Sequence, residues 1–416
     1  MNIYLKAAWR NIFRHKRRTF ITGTAIALGL AALIFTDAIV KGTLDSMIRT
    51  STGSFSGEGQ IHAAGFRETQ DPARVISGSG ALLERLSRDA RVKNLAPRTL
   101  SFAMANSAGE VCPVVMVGIA PDVERRFSQV DDAIVEGRFF ADAGPAGTRG
   151  GGLQDLVLGA KLAETLQARL GDRLVLTVAQ AKTENLAQEM FRISGIYRLG
   201  LDEMDKGMVF VRLAKSQEML AIGNGLHQIA LTLSDPKAAS RPADLFWKEY
   251  SEGGNEAVGW PVLFPQLKSF SSISGFTTAI LGVLLFGIIA LGIINTLFMS
   301  VYERMFEFGV LRAVGTRPGG IRKLVAFEAG GLGFLSTGLG IVLGFIITAI
   351  VCKTGLDYRG LEYMGMTFQD LLYPIMTVQQ FIFYPIIVFL FTVLVGLYPA
   401  GYASKMNITK SMRKTL

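Results

Sequence analysis

Residues 315–320, GTRPGG, have the G-x-x-x-x-G spacing of a loop that cradles phosphate on its backbone amides. Such a loop continues with a lysine for the phosphates and a Ser or Thr for magnesium. Ile321 and Arg322 stand there instead, so the chain does not hold ATP by this mechanism. Asp202, Glu203 and Asp205 group acids as a calcium site does, but they lack the EF-hand spacing and its terminal bidentate Glu. They read as a solvated turn. Cys112 and Cys352 lie far apart, and His15, His62 and His227 are scattered. Neither set builds a disulfide framework or the roughly four-ligand cage of a zinc site. His62 sits in a strand-like run that favours packing, and no Ser-His-Asp arrangement is suggested.

Residues 301–328 offer recognition rather than catalysis. Phe306, Val310, Leu311 and Val314 recur at three- and four-residue spacing, with Glu303, Arg304, Glu307 and Arg312 between them. The acids come early and Arg312 late, which complements the helix dipole. Gly315 accepts a left-handed cap and Pro318 cannot continue a helix. The pattern predicts a short, exposed helix over about 302–315.

What positions this helix is written in the hydropathy. Half of the 416 residues are hydrophobic and only 19% are charged. A spanning helix needs roughly 20 apolar residues, and four stretches qualify: 20–39, 274–301, 324–351 and 381–400. Each must be helical to satisfy its backbone within a bilayer. The first reads as an uncleaved anchor, because its apolar run exceeds the usual 7–15 residues of a signal peptide. Residues 1–19 carry six bases and no acid, the 302–323 loop five bases and two acids, and the tail from 401 four bases and no acid. The other two connections hold 28 bases and 30 acids. Basic loops face the cytoplasm, so both termini and the 302–315 helix are expected inside. The net charge of +9 thus tracks the bilayer and leaves no nucleic-acid footprint.

Residues 42–270 have ordinary soluble composition. Strands are expected near 60–64, 111–119, 156–158, 173–178, 190–197, 206–212 and 227–233, with helices near 80–89, 160–169 and 242–250. Leu162, Leu166 and Leu170 would share one face of the middle helix. The expected fold is an α-helical membrane protein with four transmembrane helices plus a large α+β domain inserted between helices 1 and 2. The segments are 1–19, basic; 20–41, first helix; 42–270, external domain; and 271–416, the remaining spans.

The run E-R-x-x-E-x-G-x-L-R-A-x-G from Glu303 to Gly315, followed by a basic helix start and Glu328, resembles the FtsX/MacB-type permease signature. Trp9-Arg10-Asn11, residues 155–159, Gly171-Asp172-Arg173 and the FRISGIY run at 191–197 extend the likeness over nearly the whole chain, which is similar to the lipoprotein-releasing LolC/LolE group. Gln60-Ile61-His62 and Gly65-Phe66 add a weaker match. The resemblance implies a non-catalytic permease in a bacterial inner membrane, paired with a second permease subunit. ATP and magnesium would be bound by separate LolD/MacB-like ATPase subunits, and this chain would need no cofactor or metal of its own. Glu303, Arg304, Glu307, Arg312 and Gly315 would then belong to a coupling helix seated in the ATPase. The Lol members lift lipoproteins from the membrane. A periplasmic LolA-like carrier would meet the polar loop at about 179–190, which lacks the aromatic or proline character of a strong anchor. MacB-like efflux of peptides or amphiphiles and FtsX-like activation of cell-wall hydrolases are the alternatives.

A cavity for lipid anchors should be apolar and lined by the outer halves of spans one and two, with Phe35, Ile39, Met47, Ile273, Phe276 and Ile280 as its candidates. Gly23, Ala27 and Ala31, and Gly340 with Gly344, read as packing seams. Asp37 and Glu328 lie near span ends, within reach of water or a basic neighbour.

Overall fold

The computed structural model describes residues 3–14, 16–140, 153–183, 185–241, 244–363, 365–368 and 370–405. His15, the start of the expected 242–250 helix, Lys410, Arg413 and Lys414 lie outside the described residues. The chain divides into two compact units, Met1–Leu44 with Phe270–Asp357 and Leu371–Leu416, and Asp45–Ser269 with Tyr358–Asp370.

The first unit is helical: α1 (Ile3–Ile12), α2 (Lys16–Ser51) up to Leu44, α3 (Pro265–Glu303) from Phe270, α4 (Met305–Ala313), α5 (Pro318–Thr354) and α6 (Val378–Ser404). Of these, α2, α3, α5 and α6 are long and apolar enough to cross a membrane. All four outrun their apolar stretches. The 36 residues of α2 rise about 54 Å at about 1.5 Å each, well beyond a hydrocarbon core of about 30 Å. The helix runs straight through Gly42, and the Asp45–Arg49 pair at 2.7 Å supports the extra turns. The basic segment before α2, expected only as a flank, forms α1.

The small-residue seam joins α2 to α5. A Cβ on Gly340 would stand 2.9 Å from the Ala27 carbonyl oxygen, and one on Gly344 would stand 3.1 Å from Ile34. Close approach of two backbones in lipid requires that absence of side chain. Ile26, Leu30, Ile34, Ile289, Ile293, Leu332 and Val388 complete the core there, and Thr22 and Thr296 hydrogen-bond hydroxyl to hydroxyl within it. At the other end of α2, Asp37 pairs with Lys41 at 2.8 Å and accepts from Gln380 Nε2 at 2.7 Å, so the carboxylate has the basic neighbour expected of it.

The second unit carries a ten-stranded mixed sheet. Its strands are β1 (Gly59–Ala63), β2 (Val92–Asn106), β3 (Val111–Ile119), β4 (Ile134–Gly137), β5 (Gln154–Gly159), β6 (Arg173–Ala179), β7 (Leu186–Tyr197), β8 (Met208–Arg212), β9 (Gln228–Leu233) and β10 (Asn255–Gly259). β6 pairs with both β2 and β7. The ladder β2–β3–β8–β5–β7–β6 therefore returns to β2, which leaves β4 and β10 as the edge strands of the sheet. Leu156, Leu158, Leu174, Leu176, Phe191 and Ile193 pack together in one core of this unit. β2, β4 and β10 were not expected from the sequence.

Three expectations change. Residues 202–207 form a helix rather than a turn, and Asp205 is buried, accepting from the Leu199 and Gly200 amides. The expected strand from 206 accordingly starts at Met208. The helix from Ala160 ends at Thr165, with Gln167 at a positive φ, so Leu162 and Leu166 are buried while Leu170 is exposed.

Candidate coupling site

The α3 backbone breaks at Arg304 (φ −107°, ψ 16°), and α4 begins at the next residue. Arg304 is only 6% exposed. Its Nη1 donates to Glu328 Oε1 of α5 at 2.5 Å, its Nε donates to Glu307 Oε2 at 2.9 Å, and its guanidinium lies 4.9 Å over the Phe308 ring. Arg14, just after α1, pairs with Glu307 at 2.7 Å, and Arg18 of α2 pairs with Glu303 at 3.1 Å. Partial burial pushes the Glu307 carboxyl up, but Arg304 and Arg14 outweigh it and hold the group below the usual range. Arg312 Nη1 donates to the Ser404 carbonyl at the end of α6 at 3.1 Å.

The charged side of α4 is thus spent inside the chain. Its apolar anchor is Phe308, which packs with Ala8, Val301, Ile321, Leu324, Val325, Ala400 and Ala403 from the surrounding helices. Phe306, Val310 and Val314 stand one turn apart on the outer side and are exposed, Val314 to 82%, and Leu311 is exposed beside them. Gly315 ends the helix at φ +101°, a left-handed value that glycine adopts without strain, and the Thr316 amide reaches the Leu311 carbonyl at 2.9 Å.

Sequence periodicity located α4; the structure pairs its charged residues within the chain and leaves its apolar ones exposed. Among the expected contacts, Arg304 is buried and Arg312 is turned to Ser404, while Glu303 and Glu307 answer Arg18 and Arg14. The apolar stripe faces out. An exposed apolar patch of this kind suits an interaction surface; behind it Glu307 pairs with Arg14 and Arg304, and Arg304 with Glu328 of α5.

The cavity candidates separate. Phe35 and Ile39 are half-buried on α2, Ile273, Phe276 and Ile280 are exposed on α3, and Met47, in the other unit, is 1% exposed. Met47 therefore lines no open surface. Most of α3 is uncovered, with 17% of its apolar window buried against 44% for α2. Of the segment at 179–190, residues 186–190 already belong to β7, where Leu186 and Met190 are exposed, and the β6–β7 connection is residues 180–185, of which 184 lies outside the described residues. Among the described residues no three of His, Cys, Asp and Glu gather into a possible metal site.

One site had no sequence signal. Arg98 is fully buried, its Nη2 2.6 Å from Glu124 Oε1 and 2.8 Å from the Phe55 carbonyl, its guanidinium 3.5 Å over the Phe55 ring. Phe55 lies in the π-helical turn Thr52–Ser56 that follows α2. Only the fold brings these residues together, so neither spacing nor composition could have indicated them.

Comparison with known proteins matches residues 19–242 to the MacB-like periplasmic core domain and residues 279–408 to the FtsX-like permease C-terminal domain. The chain is 23% identical over 348 residues to the lipoprotein-releasing system transmembrane protein LolC of Neisseria meningitidis, covering 83% of this chain and 80% of that protein. It is 23% identical over 342 residues to LolE of Haemophilus influenzae, covering 78% of each. It is also 24% identical over 337 residues to the macrolide export ATP-binding/permease protein MacB of Sodalis glossinidius, covering 78% of this chain but 49% of that protein.

Proposed function

Because the chain belongs to the MacB/FtsX-type family of ABC transporter permeases, we propose that it is a non-catalytic permease subunit that transmits force to release lipoproteins from a bacterial inner membrane. The observation that carries this reading is α4, whose charges pair within the chain while Phe306, Val310 and Val314 stand exposed. A separate ATPase of the LolD type, holding ATP and magnesium, docks on that stripe. Its motion reaches α5 through Arg304–Glu328 and reaches α1 and α2 through Arg14 and Arg18. The basic excess of residues 1–19, 302–323 and the tail supports placing α4 and both termini in the cytoplasm and the strand-bearing unit outside. The uncovered α3 leaves room for a second permease subunit, and Ile273, Phe276 and Ile280 for acyl chains.

Lipoprotein release suits such a machine energetically. An acyl chain holds its protein by about 0.8 kcal/mol per buried CH₂, so several chains together are effectively permanent without coupled hydrolysis. Relatives named LolC and LolE span four-fifths of their length in this match. Depletion of the protein followed by membrane fractionation tests the reading: lipoproteins should accumulate in the inner membrane. Normal sorting with lost export of an amphiphile would favour the MacB-like alternative, and normal sorting with cell-wall defects the FtsX-like one.

A further inference from the structure

At the start of α2 lies a hollow of about 500 Å³ lined by Arg14, Lys16, Arg17, Arg18, Met299 and Glu303. Glu307 answers Arg14 and Glu303 answers Arg18. Lys16 and Arg17 have no ion-pair partner among the described residues, and the buried Arg18 Nε has no hydrogen-bond acceptor. A buried guanidinium N–H without an acceptor is costly, and the first amides of a 36-residue helix add further positive potential. The hollow thus presents donors and uncompensated cations in search of an anion.

Its surroundings say which anion. Trp9 and Phe13 of the α1 region meet edge to face at 5.6 Å and are both exposed, as aromatic side chains are at a membrane interface. Phe20, Ile21 and Met299 are exposed beside the cations, where the apolar run of α2 begins. Cations on one side and uncovered hydrocarbon on the other suit a ligand with a phosphate head and acyl tails. We propose that this hollow binds the phosphate head group of an anionic phospholipid from the leaflet that meets the start of α2. The bound head group neutralises Lys16 and Arg17 beside the Arg18–Glu303 pair. The inference requires only that α2 spans a bilayer, so it stands or falls separately from the cargo.

The test is native mass spectrometry of the full-length protein released from nanodiscs of equal phosphatidylglycerol and phosphatidylcholine, without any ATPase. The wild type should retain phosphatidylglycerol preferentially. The exposed pair Lys16→Gln/Arg17→Gln should cut that preference roughly thirty-fold, as expected for two membrane-proximal cations, while Lys16→Arg keeps it. Millimolar inorganic phosphate or glycerol phosphate should not displace the lipid. Equal retention of both lipids, or a preference untouched by the double variant, overturns the proposal. Displacement by free phosphate overturns the lipid as source and leaves a soluble phosphate in its place.

Discussion

Arg304 Nη1 and Glu328 Oε1 lie 2.5 Å apart, both side chains less than a tenth exposed, and join the break before α4 to the body of α5. Removing one partner strands the other's charge in an apolar site, which costs about 3–5 kcal/mol. Arg304→Met and Glu328→Leu should each lower the thermal unfolding temperature of the detergent-solubilised protein sharply. The double variant should recover most of the loss, because two well-packed apolar groups replace a buried pair at little cost.

The outward stripe of α4 separates docking from folding. Val314→Asp and Val310→Asp place charge on exposed positions and should leave the unfolding temperature within about 2 °C, since such surface changes stay within about 0.5 kcal/mol. Both should abolish co-purification of the partner ATPase. Glu303→Lys and Arg312→Glu act differently: each breaks an internal contact, with Arg18 or with the Ser404 carbonyl, so stability and ATPase coupling should fall together.

The α2–α5 seam tolerates no added side chain. Gly340→Val drives a branched group against the Ala27 carbonyl and Leu30, and overpacking of this kind costs about 1–3 kcal/mol. Lower yield of folded protein on size-exclusion chromatography is expected. The same change at Gly275, which has open space around it, should be silent in that assay.

Acid should weaken the strand-bearing unit through its histidines. His227 Nδ1 accepts from the Leu100 amide, and its Nε2 lies 2.9 Å from the Pro72 carbonyl, which fixes the neutral ring. Burial lowers its pKa from 6.5, and burial also takes His62 down to about 4. Below pH 6.5 the unfolded chain therefore binds more protons than the folded one, and stability declines from pH 6.5 towards 4. For the 62 position alone the difference amounts to about 3 kcal/mol. His227→Asn should lower the unfolding temperature at pH 8 yet flatten its dependence on pH, read by a thermal melt at each pH.

The four long helices were legible because an apolar run of some 20 residues has few other uses. Their ends were not: Asp45 and Arg49 look like loop residues until the i,i+4 pair is seen on a continuing helix. β2 escaped notice because Lys93, Asn94, Pro97 and Arg98 break its alternation, although the strand pairs with β9, β3 and β6 along its length. Local spacing placed α4 to within a few residues. It could not give the direction of its faces, because the residues that pair with the charges around it, Arg14 and Arg18, Glu328, and Ser404, come from three other parts of the chain.

Reconstitution tests the central claim most directly. Proteoliposomes carrying this permease, its ATPase and a triacylated protein should release the protein only when ATP is added, and Val314→Asp should stop release while leaving the chain folded. Hydrolysis of ATP by the purified chain alone, or release by the Val314→Asp permease at the wild-type rate, would contradict the account.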